Sequence, residues 1–162
     1  MRITLILQIL VLLTLANGTP VIAKKLLGNF FSQPLDGGAT FFDGQPLFGP
    51  SKTIRGIVLS ILITAGSAPL IGLQWNIGAL AAAMAMAGDL LSSFLKRRLK
   101  MAPSSRATGL DQIPESLFPA FAARSMLGLT SLEIILVVAI FFIAEVVLSQ
   151  LLFKWHLRNR PF

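Results

Sequence analysis

Cysteine is absent from the 162-residue chain, and histidine occurs once, as His156 near the basic C-terminus. The missing thiols exclude cysteine nucleophiles, disulfide scaffolds and cysteine zinc sites. A lone histidine leaves no material for a histidine-based triad or a multi-histidine metal centre. Charge is also scarce. Only 13% of residues are charged, against about 25% in soluble domains, while 54% are hydrophobic and the mean hydropathy is +0.76. These values exclude a soluble globule and a disordered chain. Acids are rarest, 7 against 14 Lys and Arg, a net charge of +7. In so apolar a chain that excess follows membrane topology rather than nucleic-acid binding.

What is present are apolar runs at 3–23, 54–74, 76–95 and 131–153. Each approaches the roughly 20 residues that cross a bilayer as a helix. Asn17, Gly18 and Pro20 interrupt the first, Asp89 lies inside the third, and Glu133 and Glu145 are the acids of the last. A weaker stretch, 111–129, holds two prolines and Glu115, and reads as a fifth, partly polar helix. The expectation is therefore an all-α integral membrane protein, a single domain over 1–162, with about five transmembrane helices and two polar loops forming the site.

Twelve of the fourteen basic residues fall into three segments: Lys24, Lys25, Lys52 and Arg55; Lys96, Arg97, Arg98, Lys100 and Arg106; Lys154, Arg158 and Arg160. With the N-terminus outside, five helices place all three in the cytoplasm, as the positive-inside rule favours. Arg2 and Arg124 are the exceptions. Arg124 and Glu133 are expected to pair near the outer surface, and Trp75 and Trp155 to sit in opposite interfacial belts. The alternative for residues 1–19 is a cleaved leader ending near Ala16-Asn17-Gly18. It would put Lys24 and Lys25 outside, against the remaining charge pattern.

Five of the seven acids, Asp36, Asp43, Asp89, Asp111 and Glu115, lie in or beside the two basic loops. Carboxylates among Lys and Arg suit a magnesium-bound polyphosphate, because Mg²⁺ takes one or two carboxylates plus phosphate oxygens and water. The first loop ends Gly49-Pro50-Ser51-Lys52-Thr53 and runs into a helix whose N-terminus favours phosphate. It lacks the glycine spacing of a Walker loop. An interfacial turn with snorkelling basic residues is the plainer reading. On the third helix, Asp89, Ser92, Ser93, Lys96 and Arg97 share one face. Asp89 lies about 10 Å from its cytoplasmic end. A carboxylate at that depth is costly in lipid and points to a wet cavity; a structural salt bridge is the alternative. Lys96-Arg97-Arg98 also reads as a topology anchor. Asp111 or Gln112 could cap the helix that Pro114 opens. Glu145, about 13 Å from Lys154, stands at a depth like that of Asp89, where it lines the same cavity or makes a structural pair.

Together these stretches resemble the CDP-archaeol synthase family, a small branch of the membrane cytidylyltransferases that includes phosphatidate cytidylyltransferase. The resemblance runs through Leu15-Ala16-Asn17-Gly18-Thr19-Pro20-Val21, Pro34-Leu35-Asp36 to Phe42-Asp43-Gly44, Phe48-Gly49-Pro50-Ser51-Lys52-Thr53-Ile54-Arg55-Gly56, Gly88-Asp89-Leu90 to Lys96-Arg97-Arg98, and Leu110-Asp111-Gln112. The longer phosphatidate enzymes add a Lys-Asp pair and a His-Gly-Gly segment before the late aspartate, and this chain has neither. Archaeal members often carry a second Asp where Pro114 stands here; either Glu115 takes that role or the role is lost. The resemblance implies that CTP and a lipid phosphate react to a CDP-lipid and pyrophosphate at an integral protein of the cell (inner) membrane, on its cytoplasmic side. It implies Mg²⁺ at Asp89 and Asp111, with Asp36 and Asp43 as weaker candidates. Lys52, Thr53 and Arg55 would take the CTP phosphates, Lys96 and Arg97 the lipid phosphate, and Ser92 and Ser93 would support them. The residues do not discriminate acyl from isoprenoid chains. A non-enzymatic protein that binds anionic lipids through the same basic loops is the alternative of a different class.

Overall fold

The computed structural model describes residues 2–103, 105 and 107–154. Arg106, Trp155, His156, Arg158 and Arg160, named above, lie outside the described residues. Among the described residues six helices follow one another: α1 (Ile3–Leu27), α2 (Ile54–Ser67, extended by a 3₁₀ turn over Ala68–Ile71), α3 (Trp75–Arg98), α4 (Gln112–Ala122), α5 (Arg124–Leu127) and α6 (Ser131–Lys154). No strand forms among the described residues; the first loop holds two isolated bridges, Pro34 with Thr53 and Thr40 with Pro46.

Among the described residues, four helical stretches are long and apolar enough to cross a membrane: Ile3–Leu27, Ile54–Ile71, Trp75–Arg98 and Ser131–Ser149. The expected fifth helix over 111–129 is instead the 11-residue α4 and the single turn α5. The chain nevertheless returns to the far end of the bundle. The Arg2 guanidinium, before α1, donates to the carbonyls of Leu127 (2.9 Å) and Gly128 (2.5 Å). A short, partly polar helix is tolerable there because Gln112, Glu115, Ser116, Pro119 and Ala120 are buried against neighbouring helices rather than lipid.

Two prolines show how the bundle satisfies its backbone. Pro20 lies inside α1 and has no N–H, so the Ala16 carbonyl loses its helical donor. The buried Ser60 hydroxyl of α2 donates to it at 2.7 Å. Pro114 likewise leaves the Leu110 carbonyl without its i+4 donor, and the Ser92 hydroxyl of α3 reaches it at 2.7 Å. Away from water each unsatisfied carbonyl is costly, so these serines fix helix register as well as adding a bond.

Small residues set the helix spacing. A Cβ on Gly78 would stand 2.6 Å from the Thr64 carbonyl oxygen, and one on Gly56 would stand 3.2 Å from the Pro20 Cβ. One apolar cluster joins Ile6, Ile9 and Leu13 of α1 to Ile134, Val137 and Phe141 of α6. A second joins Leu12 to Ala68, Leu73, Ile77 and Ala81. The first helix thus supplies core to both clusters. The expected Arg124–Glu133 pair does not form. Glu133 instead receives the Arg2 guanidinium at 2.8 Å and the Arg2 amide at 2.9 Å. Arg2 precedes the first turn of α1 and reaches α6 directly.

Candidate functional site

At the end opposite Arg2, the loops and helices enclose a cavity of about 620 Å³. It runs along α1 from Lys24 to Asn17, which is seven residues, or about 10 Å of helix. Its charged lining converges from five helices and both loops: Lys24, Lys52, Arg55, Asp89, Lys96, Asp111, Glu115 and Glu145.

The first loop builds Lys52 into place. The Leu35 amide donates to the Lys52 carbonyl at 2.7 Å and the Ile54 amide to the Gln33 carbonyl at 3.2 Å, closing the loop at its base. Thr53 then starts α2, its hydroxyl accepting the Gly56 amide at 3.2 Å. Lys52 Nζ lies 2.6 Å from both carboxylate oxygens of Asp89. The pair is about one-fifth exposed, so it is screened less than a surface bridge. Asp89 in turn lines the cavity beside Glu115. Gly88 makes that approach possible, since a Cβ there would stand 2.4 Å from the Pro114 carbonyl oxygen.

Lys96 belongs to a second pair. Its Nζ lies 2.7 Å from Asp111 Oδ1 and donates to the Ser105 carbonyl at 2.9 Å. Asp111 Oδ2 accepts the Ala107 amide at 3.0 Å, and Gln112 Oε1 accepts the Gly109 amide at 2.7 Å. Neither side chain caps α4 as expected; both fold the second loop back over the cavity. Two lysine–carboxylate pairs from different loops therefore face one space. Such an arrangement can exchange its internal partners for phosphate oxygens and a phosphate-bound cation.

Several sequence-predicted residues stand elsewhere. Asp36 does not line the cavity. Its Oδ2 accepts the Gly49 amide at 2.9 Å and the Phe48 amide at 3.0 Å, and its Oδ1 the Gly38 amide at 3.1 Å. Partial burial pushes its carboxyl upward, but these amides outweigh that and hold it below the ordinary carboxylate value. Its oxygens are spent on the loop. Asp43 is likewise outside, 3.1 Å from Arg98 and accepting the Gln45 amide. Arg97 is almost fully buried behind the cavity, donating to the Ala102 carbonyl at 2.9 Å, with its Cδ against Gly49. It therefore does not line the cavity, where it was expected to face a lipid phosphate: neighbouring side chains on α3 point about 100° apart, and here Lys96 turns to the cavity and Arg97 to the second loop. Ser92 braces Leu110 and does not line the cavity, and Ser93 is buried outside it as well. Arg55 does line the cavity but is also engaged at α1, donating to the carbonyls of Gly28 (3.1 Å) and Phe30. Lys52, Thr53, Asp89, Lys96 and Asp111 line this one cavity, and Glu115 and Glu145 stand beside them. Sequence reasoning missed Lys24 and Asn17 as lining residues. The signal was the depth of Asn17 in an apolar helix, one and two turns before Val21 and Lys24.

The CarS-like CDP-archaeol synthase family matches residues 67–161. A CDP-archaeol synthase of Hyperthermus butylicus is 39% identical over 104 residues, 60% of this chain and 59% of that protein, so the match spans under two thirds of its length. One from Sulfurisphaera tokodaii is 29% identical over 152 residues, 90% of this chain and 88% of that protein. A solved intramembrane enzyme for archaeal membrane lipids biosynthesis superposes with a TM-score of 0.75 at 27% identity, covering 88% of this chain and 90% of its own.

Proposed function

The chain belongs to the CDP-archaeol synthase family, and from that premise we propose that it transfers the cytidylyl group of CTP to an archaeal ether-lipid phosphate, releasing pyrophosphate. The observation that carries this reading is the convergence of Lys52–Asp89 and Lys96–Asp111 on one cavity at membrane depth. A lipid phosphate oxygen attacks the α-phosphorus, and the bond from that phosphorus to the pyrophosphate oxygen breaks. The attacking oxygen is already anionic near neutral pH, so no strong base is required. The protein aligns two anions and neutralises their charge. Lys52 is the group for the nucleotide phosphates, at the closed base of the glycine-rich loop. Lys96 is the group for the lipid phosphate, at the end of α3. Asn17 and Glu145 line the deeper part of the cavity.

Mg²⁺ fits the donor set. Among the described residues no three His, Asp or Glu side chains stand close enough to hold a metal ion by themselves. A cation carried by a nucleotide needs only one or two carboxylates, with phosphate and water completing its shell. Asp89 and Asp111 would hold it, and when bound it would offset the phosphate charge that builds up as pyrophosphate leaves. The basic end of the bundle is read as cytoplasmic from its lysines and arginines. A reporter fused after residue 103 should therefore report cytoplasm, and an external signal would overturn that orientation.

The deciding experiment incubates purified protein with labelled CTP, Mg²⁺ and, separately, an isoprenoid-ether and a diacyl lipid phosphate. A labelled CDP-lipid with the ether substrate supports the reading. Labelling only with the diacyl lipid moves the substrate to phosphatidate. No CTP consumption with either rejects the enzymatic reading in favour of a lipid-binding protein.

A further inference from the structure

Arg98 follows two residues that serve the second loop, yet it serves the first. Its Nη2 donates to the carbonyls of Pro46 (2.7 Å) and Gln45 (3.2 Å), and its Nε lies 3.1 Å from Asp43 Oδ2. The guanidinium also sits 4.7 Å from the centre of the Phe41 ring and 4.8 Å from that of Phe94. Those rings meet edge to face at 5.4 Å. Asp43, Gln45, Pro46 and Phe41 all belong to the tip of the first loop, while Phe94 is one turn back on α3. One side chain therefore pins the loop tip to the helix that carries Asp89.

The loop is otherwise closed on itself. Phe41 and Leu47 donate to Gln45 and Ala39, Asp36 gathers the amides of Phe48 and Gly49, and the base closes at Leu35 and Lys52. A body braced in this way moves as a unit. Its register against α3 decides where Lys52 stands relative to Asp89. Arg98 is absent from the cavity lining, so any effect on substrate must pass through the loop.

We propose that Arg98 is a positioning residue that locks the first loop onto α3 and so holds Lys52 in register with Asp89 for the nucleotide phosphates. The proposal rests on the CTP-dependent reading of the site above. Charge alone is insufficient for the role. The planar fork reaches two carbonyls and a carboxylate while stacking between rings, which a lysine ammonium cannot do.

The test uses the absence of native cysteine. Phe42→Cys, at the exposed loop tip, and Leu91→Cys, on an exposed position of α3, carry a nitroxide pair in the full-length protein. The parent pair should give one narrow distance distribution. Arg98→Ala should at least double its width, and Arg98→Lys should give an intermediate result. In the enzyme assay Arg98→Ala should raise the apparent KM for CTP about tenfold or more, as a displaced positioning group does. The KM for lipid phosphate should stay within about twofold, because Lys96–Asp111 is untouched. Asp43→Ala, which leaves the rings and carbonyls in place, should show the same split at smaller size, and it stands in should Arg98→Ala fail to fold. An unbroadened distribution, or equal rises in both KM values, overturns the proposal. The distance measurement needs no turnover, so it separates failure of the clamp from failure of the CTP reading.

Discussion

Gly88 and Pro114 stand so close that a Cβ on residue 88 would lie 2.4 Å from the Pro114 carbonyl oxygen and 2.8 Å from the Glu115 amide. The contact is backbone against side-chain position, with no flexible group able to yield. Gly88→Ala should therefore part α3 from α4, destabilise the protein by about 1–3 kcal/mol, and separate Asp89 from Glu115. Gly66→Ala is the control, since nothing lies within 4 Å of its Cβ position. It should be neutral or stabilising by up to about 1 kcal/mol. Thermal unfolding in detergent distinguishes the two; equal midpoints would remove Gly88 from the account of the site.

Asp89 is one of two carboxylates from which phosphate and cation could displace a lysine. Asp89→Asn keeps the shape and removes the charge, so Lys52 loses its partner. Turnover should fall by more than about a hundredfold, equivalent to roughly 3 kcal/mol of transition-state stabilisation. The protein should still fold, since the pair is only partly buried. Near-normal turnover across a Mg²⁺ titration would reduce the Lys52–Asp89 bridge to a structural tie.

The apolar runs made most of the helices legible, because a period-free stretch of about 20 apolar residues has few other fates. Residues 111–129 broke that logic. Their helix is short because it packs on α3 through Gly88 and small or polar contacts, and no hydropathy pattern reports such a partner. Asp89, Lys96 and Glu145 were legible through depth and helical spacing, and Lys52 and Asp111 through their loops, whereas Lys24 was not. Arg97 and Arg98 were not, since a basic run looks alike whether its members face lipid phosphate, the second loop or the first. Asp36 and Asp43 misled for a related reason. A carboxylate in a glycine-rich loop serves the loop's own amides as readily as a ligand, and only coordinates show which. The Arg2–Glu133 contact spans nearly the whole chain, a separation at which sequence neighbours carry no information.

Asp36 makes the first loop sensitive to acid in a stated direction. Burial pushes its carboxyl upward, but the amides of Gly49, Phe48 and Gly38 together outweigh that and hold it below the ordinary value. A group with a depressed folded pKa contributes stability above its unfolded pKa of about 4. That contribution is lost as pH falls below this value, through the lower folded one. The nitroxide pair at positions 42 and 91 should thus keep its narrow distribution from neutral pH down to about 4 and broaden only below. Asp36→Asn should be broadened already at neutral pH and show no further change in this window. A distribution in that variant identical to the parent's at neutral pH would show that the amides hold the loop without the carboxylate.

Lys52 of the first loop is paired to Asp89 of α3, and Lys96 of α3 to Asp111 of the second loop, so their losses should differ in kind. Lys52→Ala frees Asp89 beside Glu115 and Glu145, concentrating negative charge where the nucleotide phosphates would lie. CTP binding in the absence of lipid should weaken by about tenfold to a hundredfold, as for a charged hydrogen-bond partner worth about 1.5–3 kcal/mol. Lys96→Ala removes a cation from the end of α3 and releases the Ser105 carbonyl, while Lys52–Asp89 persists. Its main effect should be a higher requirement for lipid phosphate, with CTP binding within about threefold. Lys52→Arg and Lys96→Arg should each restore only part of the loss, because the charge returns in a planar fork rather than a point donor. Direct CTP binding decides between two lysines with separate targets and one shared nucleotide pocket. If Lys96→Ala abolishes CTP binding as fully as Lys52→Ala does, the two pairs act as one, and the lipid phosphate must be met by a group other than Lys96, with Lys24 and Arg55 the remaining cations on the cavity wall among the described residues.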